Sequence, residues 1–337
     1  MPTIRDVAKR AGVATMTVSR VINDSGYVSE ATRAKVEEAI TELGYVPNML
    51  GPSLRFNQTN TLAIVLADIT NPFWTTLARG VEDAAHENGY NVILCNTDES
   101  PEKQDQYLTM LLKRRIDGIL LAPAGSRKES VDQIQKQGVS VVLIDRYVPD
   151  ATVDIIRGDS VGGAYQVVQH LIQQGHRHIA VLAGPKDVST ASDRVTGYRQ
   201  AIRDAKIEIG SEAIYWGNFT HDSGYSQTKQ ALTADQRPTA IFATNNFIAT
   251  GALKALYEAD LRVPDDISLA AFDDFLDNAT YDPFLTVVTQ PSYDMGYKAT
   301  ELLLDRLDGD GTEEYRHILL PTKLIVRRSS GPPPSQF

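Results

Sequence analysis

The sequence predicts a small all-α domain followed by a larger α/β domain of two similar lobes. Three observations support this. The first 47 residues show helical periodicity stopped by Gly12 and Gly44; from Thr61 short apolar runs alternate with helical stretches; and that alternation runs through twice. At 337 residues the chain is long enough for two or three cores.

Thr3 can cap a first helix, with Asp6 placed to suit the helix dipole. Val7, Ala8 and Ala11 form its narrow apolar face, and Gly12 ends it. A second helix starts near Ala14 or Thr15 and runs to about Ile22. It turns Val18, Val21 and Ile22 inward and leaves Thr15, Met16, Thr17 and Arg20 to solvent or a partner. Ser29 caps a third helix, in which Val36, Ala39, Ile40 and Leu43 repeat before Gly44 stops it. Three short helices with a tight glycine turn suit a helix-turn-helix domain over 1–47. Its second helix carries hydroxyls and an arginine that could meet base edges in a major groove; a helical cap with ordinary surface threonines is the plainer alternative. Met16 can touch a thymine methyl or fill a gap between bases, with a core role as the competing reading.

From 61 onward, TLAIVLAD, YNVILCNT, DGILLAP and SVVLID are too short and apolar for helices and fit a central parallel sheet. HIAVLAG, EAIYWG, TAIFATNN and ISLAAFDD repeat the pattern. The expectation is two doubly wound, mostly parallel sheets within 61–328. Lobe 1 covers about 61–160 plus a returning segment at 291–320, and lobe 2 about 161–290 plus a terminal strand. The tail SSGPPPSQF, 329–337, has nothing obvious to bury and is expected to be disordered.

The net charge of −10 hides an asymmetry: residues 1–57 carry +1 and the remainder −11. In the first 23 residues Arg5, Lys9, Arg10 and Arg20 face only Asp6, so an acidic total does not veto nucleic acid at the small end. The lone Cys95 excludes an internal disulfide and suits a reducing compartment. With neither a signal segment nor an apolar run of membrane length, the chain reads as cytoplasmic, without a membrane partner. No strand feeds a G-x-G-x-x-G turn, and there is no Walker loop, nucleophile elbow or acid/base pair. His170, His176 and His178 read as structural or exposed, so neither enzyme activity nor a cofactor or metal is expected.

Polar residues gather at the carboxyl ends of the strands, where open α/β sheets bind ligands. Asp68, Asn71, Phe73, Trp74, Asp98 and Asp145 are candidates from the first set; Arg146, Asp159, Arg194, Asn245, Asp273 and Gln290 follow. Aromatic faces can stack on a sugar ring while carboxylates, amides and guanidinium groups divide its hydroxyls. Capping a helix or pinning a turn is the duller role open to Asp68 and Asp159.

TIRDVAKRAGVATMTVSRVIN resembles, almost position for position, the DNA-binding headpiece of the lactose-repressor (LacI/GalR) family. The resemblance runs the length of the chain, and the large domain is similar to periplasmic ribose- and sugar-binding proteins through TNPFW, LIDR, SDRVTGY, FATNN, AFDD and VVTQP. It implies a sequence-specific regulator, a repressor or its like, that binds a roughly palindromic double-stranded operator as a homodimer at the bacterial nucleoid. A protein corepressor is a further possible partner. Thr15, Met16 and Arg20 would face bases, with Thr3, Thr17, Ser19, Asn23, Tyr27 and Ser29 near the backbone. Ala14 departs from the serine frequent in relatives and forfeits a cap.

The resemblance also makes 48–60 a hinge that folds on DNA, capped by Asn48, with Leu54 wedged into the minor groove. Gly51 and Pro52 depart from the usual alanine-arginine pair and shorten or distort that helix; Arg55 could replace a lost phosphate contact. In the large domain it implies a pentose, hexose or derivative as effector. Asn71, Phe73, Asp145, Arg146, Arg194, Asn245, Asp273 and Gln290 would be its contacts, and Trp74, Phe219 and Phe247 further wall. The alternative is a sugar-binding receptor module without gene control, which leaves residues 1–47 unexplained.

Overall fold

The computed structural model describes residues 2–46, 58–207, 213–275, 282–309 and 314–334. The chain divides into two compact units, Met1–Thr59 and Asn60–Phe337. The hinge residues Asn48, Gly51, Pro52, Leu54 and Arg55 lie outside the described residues.

In the first unit α1 (Ile4–Ala11), α2 (Thr15–Ile22) and α3 (Glu30–Leu43) enclose Val7, Val18 and Val36, all fully buried. The Thr3 N–H and hydroxyl both donate to Asp6 Oδ2, at 2.8 and 2.7 Å, fixing the start of α1. Gly12 ends it at φ 68°, a left-handed cap that a β-carbon would strain. Ala14 leads into α2 without a side-chain cap, whereas the Ser29 hydroxyl accepts from Thr32 N–H at 3.4 Å to begin α3.

Among the described residues the second unit holds two six-stranded sheets. The first has the order β11-β5-β4-β3-β1-β2, with every pair parallel. Its strands are β1 (Thr61–Leu66), β2 (Asn91–Asn96), β3 (Gly118–Leu121), β4 (Ser140–Ile144), β5 (Asp154–Gly158) and β11 (His317–Leu320). The second has the order β12-β10-β9-β8-β6-β7, parallel except for β12 against β10. It comprises β6 (Ile179–Ala183), β7 (Ile214–Trp216), β8 (Ala240–Ala243), β9 (Ser268–Phe272), β10 (Thr286–Thr289) and β12 (Lys323–Ile325). The continuous apolar runs arise because helices cover both faces.

On the first sheet, α4 (Pro72–Glu87) and α11 (Ser292–Asp308) bury Leu77, Val81, Met295 and Leu303 against Leu62, Ile64 and Leu66. On its other face α5 (Pro101–Lys113) and α6 (Glu129–Lys136) supply Leu108, Leu111, Val131 and Ile134. The second sheet lies between α7 (Ser160–Gln173) with α8 (Ser189–Asp204), and α9 (His221–Leu232) with α10 (Asn246–Glu258). Each buried leucine contributes about 1.5–3 kcal/mol, and truncating one such as Leu77 to alanine costs about 2–5 kcal/mol. Helices α4 and α11 meet backbone to backbone: a β-carbon on Gly80 would lie 2.1 Å from Tyr293 O, and one on Gly296 2.0 Å from Leu77 O.

Among the described residues three crossings join the lobes, after β5, after β10 and between β11 and β12. Two of the strands involved, β5 and β10, were not among the strand runs read from the sequence. Asp154 and Arg157 disguise β5. Asp154 is only 1% exposed and is paired with Arg306 of α11, Nε to Oδ2 at 2.7 Å.

The tail needs correction. Ser329 is fully buried: its N–H donates to Phe284 O at 3.0 Å, its carbonyl accepts from Leu269 N–H at 2.8 Å, and its hydroxyl donates to Leu269 O at 2.6 Å. His176 Nε2 lies 2.9 Å from Gly331 O, and His170 Nε2 lies 2.9 Å from Ser330 Oγ. The segment is polar yet ordered because sheet 2 offers backbone partners that composition does not reveal. Residues 335–337 lie outside the described set.

Candidate functional site

In the first unit, Thr15, Met16 and Arg20 of α2 are exposed, and Met16 at 65% is no core residue. Thr17 and Ser19 are half-buried on the same helix, and Tyr27 is 90% exposed. Several residues expected near a DNA backbone also have local work. Thr3 and Ser29 cap helices, and Asn23 Nδ2 donates to Ser19 Oγ at 3.2 Å.

In the second unit, a cleft of about 430 Å³ opens at the carboxyl ends of both sheets. Lobe 1 contributes Asn71, Phe73, Trp74, Asp145 and Arg146; lobe 2 contributes Arg194, Phe219, Asn245, Phe247 and Asp273. Asp68 and Asp98 also line it. Asp159 does not; it caps α7, accepting from Gly162 N–H at 2.8 Å.

The charged groups are buried. Asp145, Arg146, Arg194 and Asp273 are each no more than 6% exposed. Arg194 lies over the Phe272 ring with its guanidinium carbon 3.8 Å from the centroid; its Nη1 donates to Thr244 O at 2.6 Å and its Nη2 is 3.5 Å from Asp273 Oδ2. Arg146 lies 5.5 Å from the Trp74 ring centre and 5.8 Å from that of Phe219. Burial pushes the Asp145 carboxyl up to about 6, against the pull of Arg194 and Arg146. Burial also raises Asp273, opposed by Arg194 and by a hydrogen bond from Gln290.

Asp145 Oδ1, Arg146 Nε and Arg194 Nε are buried without a hydrogen-bond partner among the described residues. Leaving such groups unmade costs about 1–3 kcal/mol each, more when charged. Beside aromatic walls, two donors and an acceptor so placed can take the hydroxyls and ring face of a polyol.

Two expected contacts have their side-chain amides engaged within the protein. Gln290 does not line the cleft; its Nε2 donates to Asp273 Oδ1 at 2.8 Å, so it acts on the carboxylate from behind. Asn71 lines the cleft, but its amide is committed to the fold. Oδ1 accepts from Phe73 N–H at 3.1 Å, while Asn71 and Asn246 exchange amide hydrogen bonds at 2.9 and 3.0 Å across the lobes. Asn246, the second asparagine of FATNN, and the lining residues Glu99, Thr190 and Asn218 are not among the contacts expected from the sequence. Their positions after strands β2, β6 and β7 were the available signal.

Residues 3–48 match the family of bacterial regulatory proteins of the lacI type, and residues 59–328 match the periplasmic binding proteins and sugar binding domain of the LacI family. The chain belongs to the LacI family. It is similar to the ribose operon repressor of Escherichia coli, 38% identical over 98% of this chain and 100% of that one. It is 35% identical to the HTH-type transcriptional repressor PurR of Haemophilus influenzae, over 98% of both chains. Among solved structures, the lac repressor dimer bound to operator and the anti-inducer ONPF has a TM-score of 0.85 at 29% identity, covering 98% of this chain and 99% of that one. As a LacI-family member this chain is a DNA-binding transcriptional regulator, not an enzyme, and answers to a small ligand. No helix among the described residues is long and apolar enough to cross a membrane.

Proposed function

We propose that this LacI-family chain is a repressor that binds a roughly palindromic operator as a homodimer in the bacterial cytoplasm and is controlled by a pentose, hexose or close derivative. Thr15, Met16 and Arg20 read bases, two-fold symmetry matches two half-sites, and the hinge segment with Leu54 enters the minor groove. The effector sits in the cleft, with Asp145, Arg146, Arg194 and Asp273 sharing its hydroxyls and Trp74, Phe219 and Phe247 against its ring. Occupancy changes the angle between the lobes, and unequal affinity for two arrangements alters operator binding.

The observation that carries the effector reading is the convergence of Asp145 and Arg146 from one lobe with Arg194 and Asp273 from the other in an aromatic-walled cleft, where Asp145 Oδ1 and Arg194 Nε have no hydrogen-bond partner among the described residues. Calorimetry with a panel of pentoses and hexoses, followed by operator binding with and without the best ligand, tests it. A ligand that binds and shifts operator affinity supports the reading. A panel without a single binder, or a binder that leaves operator affinity unchanged, removes it.

A further inference from the structure

Glu99 occupies the guanidinium that an acidic effector would need. It follows β2 in a turn where Asp98 and Glu99 have φ of 51° and 59°. Non-glycine residues are uncommon in that region, and two in succession persist only where their surroundings fix them. The turn delivers the carboxylate to Arg146: Oε2 accepts from Nη1 and Oε1 from Nη2, both at 2.6 Å. Arg146 Nη1 also donates to Pro123 O at 3.1 Å. The outer fork is therefore filled, and Nε lies 3.7 Å from Asp145 Oδ2.

We infer that Glu99 is a specificity-determining residue of the cleft, excluding phosphorylated and other anionic ligands and reserving the site for neutral polyols. This rests on the effector reading above and narrows it. Phosphate and carboxylate ligands engage arginine through two parallel N–H donors, and Glu99 holds both Nη groups of Arg146. The second guanidinium offers no substitute, since Arg194 Nη1 is taken by Thr244 O and Nη2 faces Asp273. No lysine is found among the described lining residues, and Asp68, Asp145 and Asp273 add charge of the same sign as Glu99.

Helix N-termini could still draw an anion; three that reach the cleft are capped by side chains, whereas α8, whose Thr190 lines the cleft, starts after Val188 without such a cap. Asn71 Oδ1 accepts from Phe73 N–H, Thr220 Oγ1 from Ser223 N–H and Asn245 Oδ1 from Ile248 N–H. An anion that pairs with the Arg146 fork must eject Glu99 from its bidentate pair. A neutral polyol need not, because Asp145 Oδ1 and Arg194 Nε have no hydrogen-bond partner among the described residues.

The test is calorimetry on the full chain with D-ribose, ribose 5-phosphate and inorganic phosphate, for the wild type, Glu99→Gln and Glu99→Asp. Ribose 5-phosphate and phosphate should bind Glu99→Gln at least about tenfold more tightly than wild type, and Glu99→Asp, which keeps the charge, should stay within about threefold of wild type. Unchanged anion affinity in Glu99→Gln overturns the inference, as does a wild type that prefers ribose 5-phosphate to ribose. An aspartate variant that behaves like the glutamine variant also overturns it, because loop shape rather than charge would then be responsible. The phosphate arm reads Glu99 independently of the sugar: gained anion binding with no polyol binder in a wider panel would sustain Glu99's role and remove the sugar reading.

Discussion

The carboxylates of Asp145 and Asp273 reach the cleft from matching corners of the two lobes. Asp145 follows β4 and donates its N–H to Ile156 O of β5 at 2.9 Å; Asp273 follows β9 and donates to Val288 O of β10 at 2.8 Å. Their φ angles, 66° and 64°, are nearly identical. Each acid thus sits in a left-handed corner beside a strand that leads into a lobe crossing, and the effector would be held between two copies of one device.

That placement makes effector binding depend on pH. Burial raises Asp145 to about 6, so the carboxylate that accepts hydroxyl protons is present above that pH and lost below it. Sugar affinity should be roughly tenfold weaker at pH 5 than at pH 8 if only the ionised form binds. Stability of the ligand-free chain moves the opposite way. The native state holds this proton more tightly than the unfolded chain, so this group's contribution falls by roughly 2 kcal/mol as pH rises from about 4 to 6. Asp145→Asn should flatten both profiles, and a wild-type affinity that does not change with pH would rule out the ionised-form requirement.

Gln290 should matter to the effector without touching it. Gln290→Ala removes the donor that holds Asp273 Oδ1, and sugar affinity should drop about tenfold, the loss of one charge-assisted hydrogen bond. Gly158→Ala should act through the same residue, because its β-carbon would lie 2.2 Å from Gln290 Oε1. The double variant should then be no worse than the more damaging single one, and additive losses in calorimetry would show independent roles.

The chain end should carry measurable stability. Ending the protein at Arg328 removes the Ser329 hydrogen bonds and should cost roughly 3 kcal/mol in urea unfolding. Burial lowers His170 and His176 below the ordinary histidine range. The unfolded chain therefore binds more protons near pH 6, and their contribution, full above pH 6.5, is lost as pH falls. A truncated chain as stable as the full one would restore the disordered reading of the tail.

The headpiece offers a gain rather than a loss. Ala14 leads into α2 with no side-chain cap, so Ala14→Ser should stabilise the first unit by about 1 kcal/mol. Thermal unfolding followed by circular dichroism would read it, and an unchanged midpoint would mean that the uncapped N–H groups already have adequate partners in water.

The alternation of strand and helix was legible because parallel strands covered on both faces must be apolar throughout, as in TLAIVL and SVVLI. Most cleft residues were legible too, since the end of such a strand is where a polar residue is conspicuous. What stayed hidden depended on partners distant in sequence. Asp154 makes sense in β5 only beside Arg306, Gln290 only beside Asp273, and Asn71 only beside Asn246. Glu99 was hidden for a related reason: its meaning is the guanidinium it reaches, 47 positions on.

Gly80 and Gly296 leave no room for a β-carbon where the backbones of α4 and α11 meet. Sliding one past the other would force backbone into backbone, so the pair behaves as a single girder. Its α11 end begins where the chain arrives from β10, and its α4 end presents Phe73 and Trp74 to the cleft. Torque delivered at that junction is therefore delivered to the aromatic wall as well.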